Sequence, residues 1–129
     1  MSLVVDTSAI VACLTKEPER PAFMRILALA ERRVLSSVNL LEARIVITGS
    51  KGLPRDWLEE FIENEQIEIV AFDENLSDLA FDGYRRYGKG RHPAKLNMGD
   101  CAAYALAKAR GWPLLFKGED FSLTDVERA

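Results

Sequence analysis

Four acidic side chains, Asp6, Glu42, Asp100 and Asp120, stand at element boundaries or among apolar neighbours in a chain of 129 residues that has a single histidine, His92. With so little imidazole available, the chemistry open to such a set is that of oxygen ligands. Several carboxylates brought to one place bind a hard divalent cation, Mg²⁺ or Mn²⁺, in preference to zinc. Zinc is disfavoured further because Cys13 and Cys101 have no metal-type spacing. Serine nucleophile chemistry is poorly served too, since Ser8 has neither a nucleophile-elbow context nor a histidine base. Carboxylates held close together repel, so one or more of them should titrate above the usual range until a cation arrives. Such a cation would activate water and offset the charge that accumulates on a phosphodiester under attack.

Taken singly, each acid has a structural explanation. Asp6 can cap the helix that follows it. Glu42 can pair with Arg44. Asp100 can stabilise the first turn of its helix, and Asp120 or its neighbour Glu119 can simply be solvated in a glycine-containing loop. Taken together, four separate explanations would have to coincide to place acids at two strand ends, a helix start and the apolar face of a helix.

The elements that must position them follow from hydrophobic periodicity. Leu3-Val4-Val5 reads as a strand ending at Asp6, with Thr7 and Ser8 opening a helix. Pro21 suits the start of a second helix carrying Phe23, Ile26, Leu27 and Ala30, and Val34-Leu35-Ser36 reads as a second strand. Val38, Leu41, Ile45 and Thr48 recur at helical spacing up to Gly49. A further helix from Pro54 carries Trp57, Leu58, Phe61 and Ile62, so the two helices are expected to form a hairpin. Ile67 to Phe72 is a third strand, Asp73 caps a helix, Asn97 caps another that ends at Gly111, and Leu114-Leu115-Phe116 is a buried strand. Alternation of this kind implies an α/β fold, one domain over residues 1–129, with a mostly parallel sheet and helices on both faces. Asp6 and Asp120 would then lie at the carboxyl edge of the sheet, where open α/β folds place their ligands.

The net charge of −3 argues against holding nucleic acid by bulk charge alone. One stretch runs against that balance: Arg85, Arg86, Lys89, Arg91 and Lys95 occur with no acid among them, a candidate contact for an anion or a merely solvated loop. No stretch reaches transmembrane length and no secretory leader is evident, so a cytoplasmic protein with reduced core thiols is expected.

Val4-Val5-Asp6-Thr7-Ser8-Ala9, the helical Glu42, Leu96-Asn97-Met98-Gly99-Asp100-Cys101-Ala102-Ala103-Tyr104 and Leu114-Leu115-Phe116-Lys117-Gly118-Glu119-Asp120-Phe121 closely resemble the PIN-domain ribonucleases, in particular the VapC-type toxins of prokaryotic toxin–antitoxin pairs. The likeness spans nearly the whole chain in order. It implies a three-layer α/β/α sandwich and a Mg²⁺- or Mn²⁺-dependent endoribonuclease that leaves a 5′-phosphate, is inhibited by a cognate antitoxin and forms a homodimer. Asp6, Glu42 and Asp100 match the family's acids. Many relatives carry the fourth directly after a Thr-Arg pair, where this chain has Gly118, so Asp120 or Glu119 must supply it. Thr7, Ser8 and Asn97 match supporting polar positions.

Two rival readings are an inactive PIN-like RNA- or protein-binding module and an Asp-based phosphatase. The latter lacks the second acid expected two residues after Asp6. For a partner surface, Phe23, Leu27, Trp57, Leu58 and Phe61 give the second and fourth helices more apolar area than a thin sandwich is expected to cover.

Overall fold

The structure, a computed structural model, describes residues 1–129. Four strands, β1 (Leu3–Val5), β2 (Arg33–Ser36), β3 (Ile67–Val70) and β4 (Leu114–Leu115), form one sheet in the order β3-β2-β1-β4. Every pairing is parallel, with Val4 opposite both Val34 and Leu114. Six helices connect them: α1 (Thr7–Leu14), α2 (Arg20–Leu29), α3 (Ser37–Arg44), α4 (Arg55–Asn64), α5 (Glu74–Tyr87) and α6 (Met98–Arg110).

The period-2 alternation of the strands builds two cores. Leu3, Val5, Leu35 and Leu115 point to one face, where they meet Ile10, Phe23, Leu27, Ala43, Leu58 and Phe61 from α1 to α4. Val4, Val34, Leu114 and Phe116 point to the other, against Leu76, Ala80, Tyr104 and Leu106 of α5 and α6. This is the expected α/β/α sandwich. Because β2 and β3 extend from β1 on one side and β4 pairs on the other, the order reverses beside β1. The crevice between the carboxyl ends of β1 and β4 is thus the place where such sheets bind ligands.

Two expectations need correction. The helical pattern from Val38 to Thr48 is not one α-helix: α3 stops at Arg44 and a π-helical turn, Ile45–Ser50, continues it. The apolar residues assigned to a partner surface are mostly core, with Phe23, Leu27, Leu58 and Phe61 all buried and only Trp57 exposed. Periodicity shows that a helix has an apolar face but not what covers it, and α1 to α4 cover one another. Other exposed apolar side chains include Leu29 at the end of α2, Leu41, Ile45, Phe81 and Met98.

Helix ends follow the chemistry of their caps. Asp73 accepts a bond from the Leu76 N–H, and Asn97 and Asp100 form a reciprocal capping box at the start of α6. Gly111, at φ 66°, closes α6 in the left-handed conformation that side-chain-bearing residues avoid.

Candidate active site

Asp6 leaves β1 and caps α1. Its Oδ2 accepts from the Ser8 N–H at 3.0 Å and from the Ser8 hydroxyl at 2.6 Å. Its Oδ1 is buried and has no hydrogen-bond donor at all. A buried carboxylate oxygen without a donor is costly unless a cation or a proton meets it. The Asp6 carboxyl is accordingly pushed up to about 7, by burial first and then, against the lowering effect of Ser8, by the charges of Asp100 and Glu42.

Ser8 is itself held from the next strand, because the Lys117 N–H after β4 donates to its Oγ at 2.9 Å. The Asp6 N–H donates to Leu115 O at 2.9 Å, so two bonds fix the first acid across the β1–β4 crevice. Thr7, on the other side, donates from Oγ1 to Asn39 O at 3.1 Å and ties α1 to α3.

Glu42 does not pair with Arg44, which bonds Glu59 instead at 3.2 Å. Its partner is Asn39, whose Nδ2 donates to Glu42 Oε1 at 3.3 Å and to Gly99 O at 3.0 Å. Asn39 is fully buried and was missed in the sequence. The signal was present, since Asn39 lies three residues before Glu42 and so on its helix face. Gly99 supplies the room: a Cβ built there would lie 2.6 Å from Glu42 Cδ and 2.7 Å from Oε1. The Glu42 carboxylate thus rests on the backbone at the start of α6.

Asp100, in the first turn of α6, is both a helix-stabilising residue and a member of the cluster. Its N–H donates to Asn97 Oδ1 at 2.9 Å, and its Oδ2 accepts from the Asn97 N–H at 3.1 Å. Its carboxyl is pushed up to about 6, by burial first, while the Asn97 bond lowers it and the charges of Glu42 and Asp120 raise it. The raised titration expected from repulsion is therefore present at two acids, but desolvation leads and repulsion adds to it.

Asp6, Glu42 and Asp100 line one open cleft of about 490 Å³, together with Ser8, Glu17, Lys51 and Lys117. Asp120 stands apart from its walls, exposed at the start of a short 3₁₀ turn (Asp120–Leu123), yet its charge acts on Asp100. Glu119 is exposed and is not among the charges that act on Asp100. Apart from Lys51 and Lys117, the polar side chains lining this space end in carboxylate or hydroxyl oxygens, a donor set suited to a hard cation. As they stand, the side chains do not form a ready-made cage of three donors.

The basic segment is divided between two tasks. Arg86 is bound to the hydroxyls of Tyr104 and Tyr87 and lies 3.6 Å from Asp125. Arg85 and Arg91 lie over the rings of Phe81 and Tyr84, and Lys89 lines a groove with Asn97, Met98 and Val38 beside the cleft. His92 is no ligand in this arrangement, for its Nδ1 accepts the Ala94 N–H.

Comparison with known proteins bears on the fold and the family. The PIN domain family matches residues 3–127. Ribonuclease VapC of Mycolicibacterium smegmatis is 48% identical over 126 residues, covering 96% of this chain and 97% of its own. Ribonuclease VapC30 of Mycobacterium tuberculosis is 44% identical over 126 residues, covering 96% and 95%. Among solved structures, Mycobacterium tuberculosis VapC20, described as a Sarcin-Ricin loop cleaving toxin, superposes with a TM-score of 0.77 at 15% identity over 98% of both chains. VapBC2 of Rickettsia felis, bound to a DNA fragment from its promoter, gives 0.71 at 17% identity over 99% and 96%. The structures share the fold and the curated relatives share the sequence along its length: the chain belongs to the PIN-domain family, among its VapC ribonucleases.

Proposed function

We propose that this protein is the toxin of a toxin–antitoxin pair and acts as a metal-dependent endoribonuclease through Asp6, Glu42, Asp100 and Asp120. The observation that carries the site assignment is Asp6 Oδ1, a buried oxygen with no donor in a cleft shared with two other carboxylates. Asp6 and Asp100 would hold a Mg²⁺ or Mn²⁺ ion, Asp120 would complete the set, and Glu42 would hold a second ion or orient the attacking water. A divalent cation bound there lowers the pKa of water and offsets charge on the phosphodiester under attack.

The remaining work falls to the protein's own groups. Ser8 occupies Asp6 Oδ2 with two donors and so leaves Oδ1 as the free ligand atom. Asn39 occupies Glu42 Oε1, leaving Oε2 to accept a proton from water. The RNA strand would run along the groove beside the cleft, with Lys89, Arg91, Lys95 and Arg85 on its phosphates. Cleavage leaves a 5′-phosphate end.

Two partners complete the reading. A cognate antitoxin restrains the nuclease. A second copy of the chain covers the exposed apolar pair Leu41 and Ile45, one helical turn apart and outside the RNA groove that Phe81 and Met98 line. Cleavage of single-stranded RNA by the purified protein should require Mg²⁺ or Mn²⁺ and should vanish in Asp6→Asn. Cleavage that survives EDTA, or that survives Asp6→Asn, would overturn the proposal.

A further inference from the structure

Two cations line the acidic cleft, Lys51 and Lys117, and the second is held in an unusual way. Lys117 follows β4, and its backbone is fixed to the site, since its N–H donates to the Ser8 hydroxyl that in turn donates to Asp6. Its side chain reaches along the cleft wall to the loop between α1 and α2. There the ammonium pairs with Glu17 and lies 3.5 Å from Glu19 Oε1, a buried oxygen with no hydrogen-bond partner of its own.

We propose that Lys117 is a phosphate-contacting residue of the RNA site, stored on Glu17 until substrate arrives. This rests on the nuclease reading above. A phosphodiester entering the cleft passes Asp6, Glu42 and Asp100, and it needs positive charge from the protein as well as from a cation. Lys117 is anchored at its backbone within that cleft and carries its charge on a flexible four-carbon stem. The pair that holds it is about one-third exposed on both sides, so solvent screens it and little stability is lost when it opens. Glu17 is not stranded by the exchange, because it also accepts from Thr15 Oγ1 at 3.2 Å and feels the charge of Lys51.

The reading differs from that of a structural strut in the sign of one variant. Lys117→Met and Glu17→Gln break the same pair, but only the first removes the phosphate contact. Binding of a labelled single-stranded RNA, followed by anisotropy in Ca²⁺ buffer, and cleavage in Mg²⁺ buffer should therefore move in opposite directions. Lys117→Met should weaken binding and raise KM about tenfold, and the salt dependence of binding should fall by about 0.7 in slope. Glu17→Gln should tighten binding about threefold, the order of a released surface pair. Lys117→Arg should restore binding. The assignment is overturned if both variants weaken binding equally, as a strut requires, or if Lys117→Met binds within twofold of wild type. Wild-type protein that binds RNA in this way but never cuts it would defeat the nuclease reading and leave the Lys117 contact standing.

Discussion

Gly99→Ala separates the geometry of the site from the stability of the fold. The added methyl carbon would stand 2.6 Å from Glu42 Cδ and 2.7 Å from Oε1, against 3.4–4 Å for an ordinary contact. The obstructing atoms are the tip of a flexible side chain, so the carboxylate retreats by about 1 Å while the backbone stays in place. A misplacement of about 1 Å in catalytic geometry costs about 100-fold in rate. Stability should move little, because alanine is favoured over glycine in a helix by up to about 1 kcal/mol and α6 keeps its capping box. The assay is a fluorogenic RNA cleavage rate at saturating Mn²⁺, paired with a thermal melt of the same sample. A rate within threefold of wild type would show that Glu42 does not act from this seat. Loss of folding would show that the side chain cannot move aside. Either result refutes the reasoning.

The buried acids make apo stability depend on pH. Asp6 titrates at about 7 and Asp100 at about 6 in the folded chain, against 3.8 ordinarily, so the folded state binds protons more tightly than the unfolded one. Their contribution is fully present below about pH 4 and is lost as pH rises through 6 to 7; for Asp6 it amounts to about 4 kcal/mol at most. Metal-free protein should therefore melt higher at pH 5 than at pH 8, and Asp6→Asn should flatten the difference; an unchanged profile would contradict the burial of Asp6. Ser8→Ala keeps the backbone donor to Asp6 Oδ2 but removes the hydroxyl donor and the acceptor of the Lys117 N–H, and denaturant unfolding should show a loss of about 1–3 kcal/mol together with weaker Mn²⁺ binding by calorimetry. Asp120→Asn should reduce cleavage at limiting Mg²⁺ more than Glu119→Gln does, and the reverse order would move the fourth acid to Glu119. Gly83→Ala places a methyl 2.6 Å from a ring carbon of buried Tyr104, and chemical denaturation should show a cost of about 1–3 kcal/mol.

Strand ends and helix starts were legible because their signals are local. Asp6 follows three β-favouring residues, Asn97 and Asp100 carry a capping box, and Glu42 breaks an apolar helix face. What was not legible depends on which surfaces meet. Phe23, Leu27, Leu58 and Phe61 look the same in sequence whether a helix covers them or a partner does. Asn39 gains its role only when Gly99, 60 residues later, comes within 3.0 Å. The π-helical turn after Arg44 leaves no mark in the spacing of Ile45 and Thr48. The bond from Lys117 to Ser8 and its ion pair to Glu17 span 109 and 100 residues, which no motif records.

That long span sets when the enzyme can first exist. Translation delivers Asp6 at the outset but Ser8's donor almost last, and β1 has an open edge until β4 arrives to pair with it. Domains generally fold as units, and pairings distant in sequence form late. A nascent chain on the ribosome therefore carries the first acid in an unfinished crevice, and a cell making this toxin has the whole elongation time in which an antitoxin already present can wait for it.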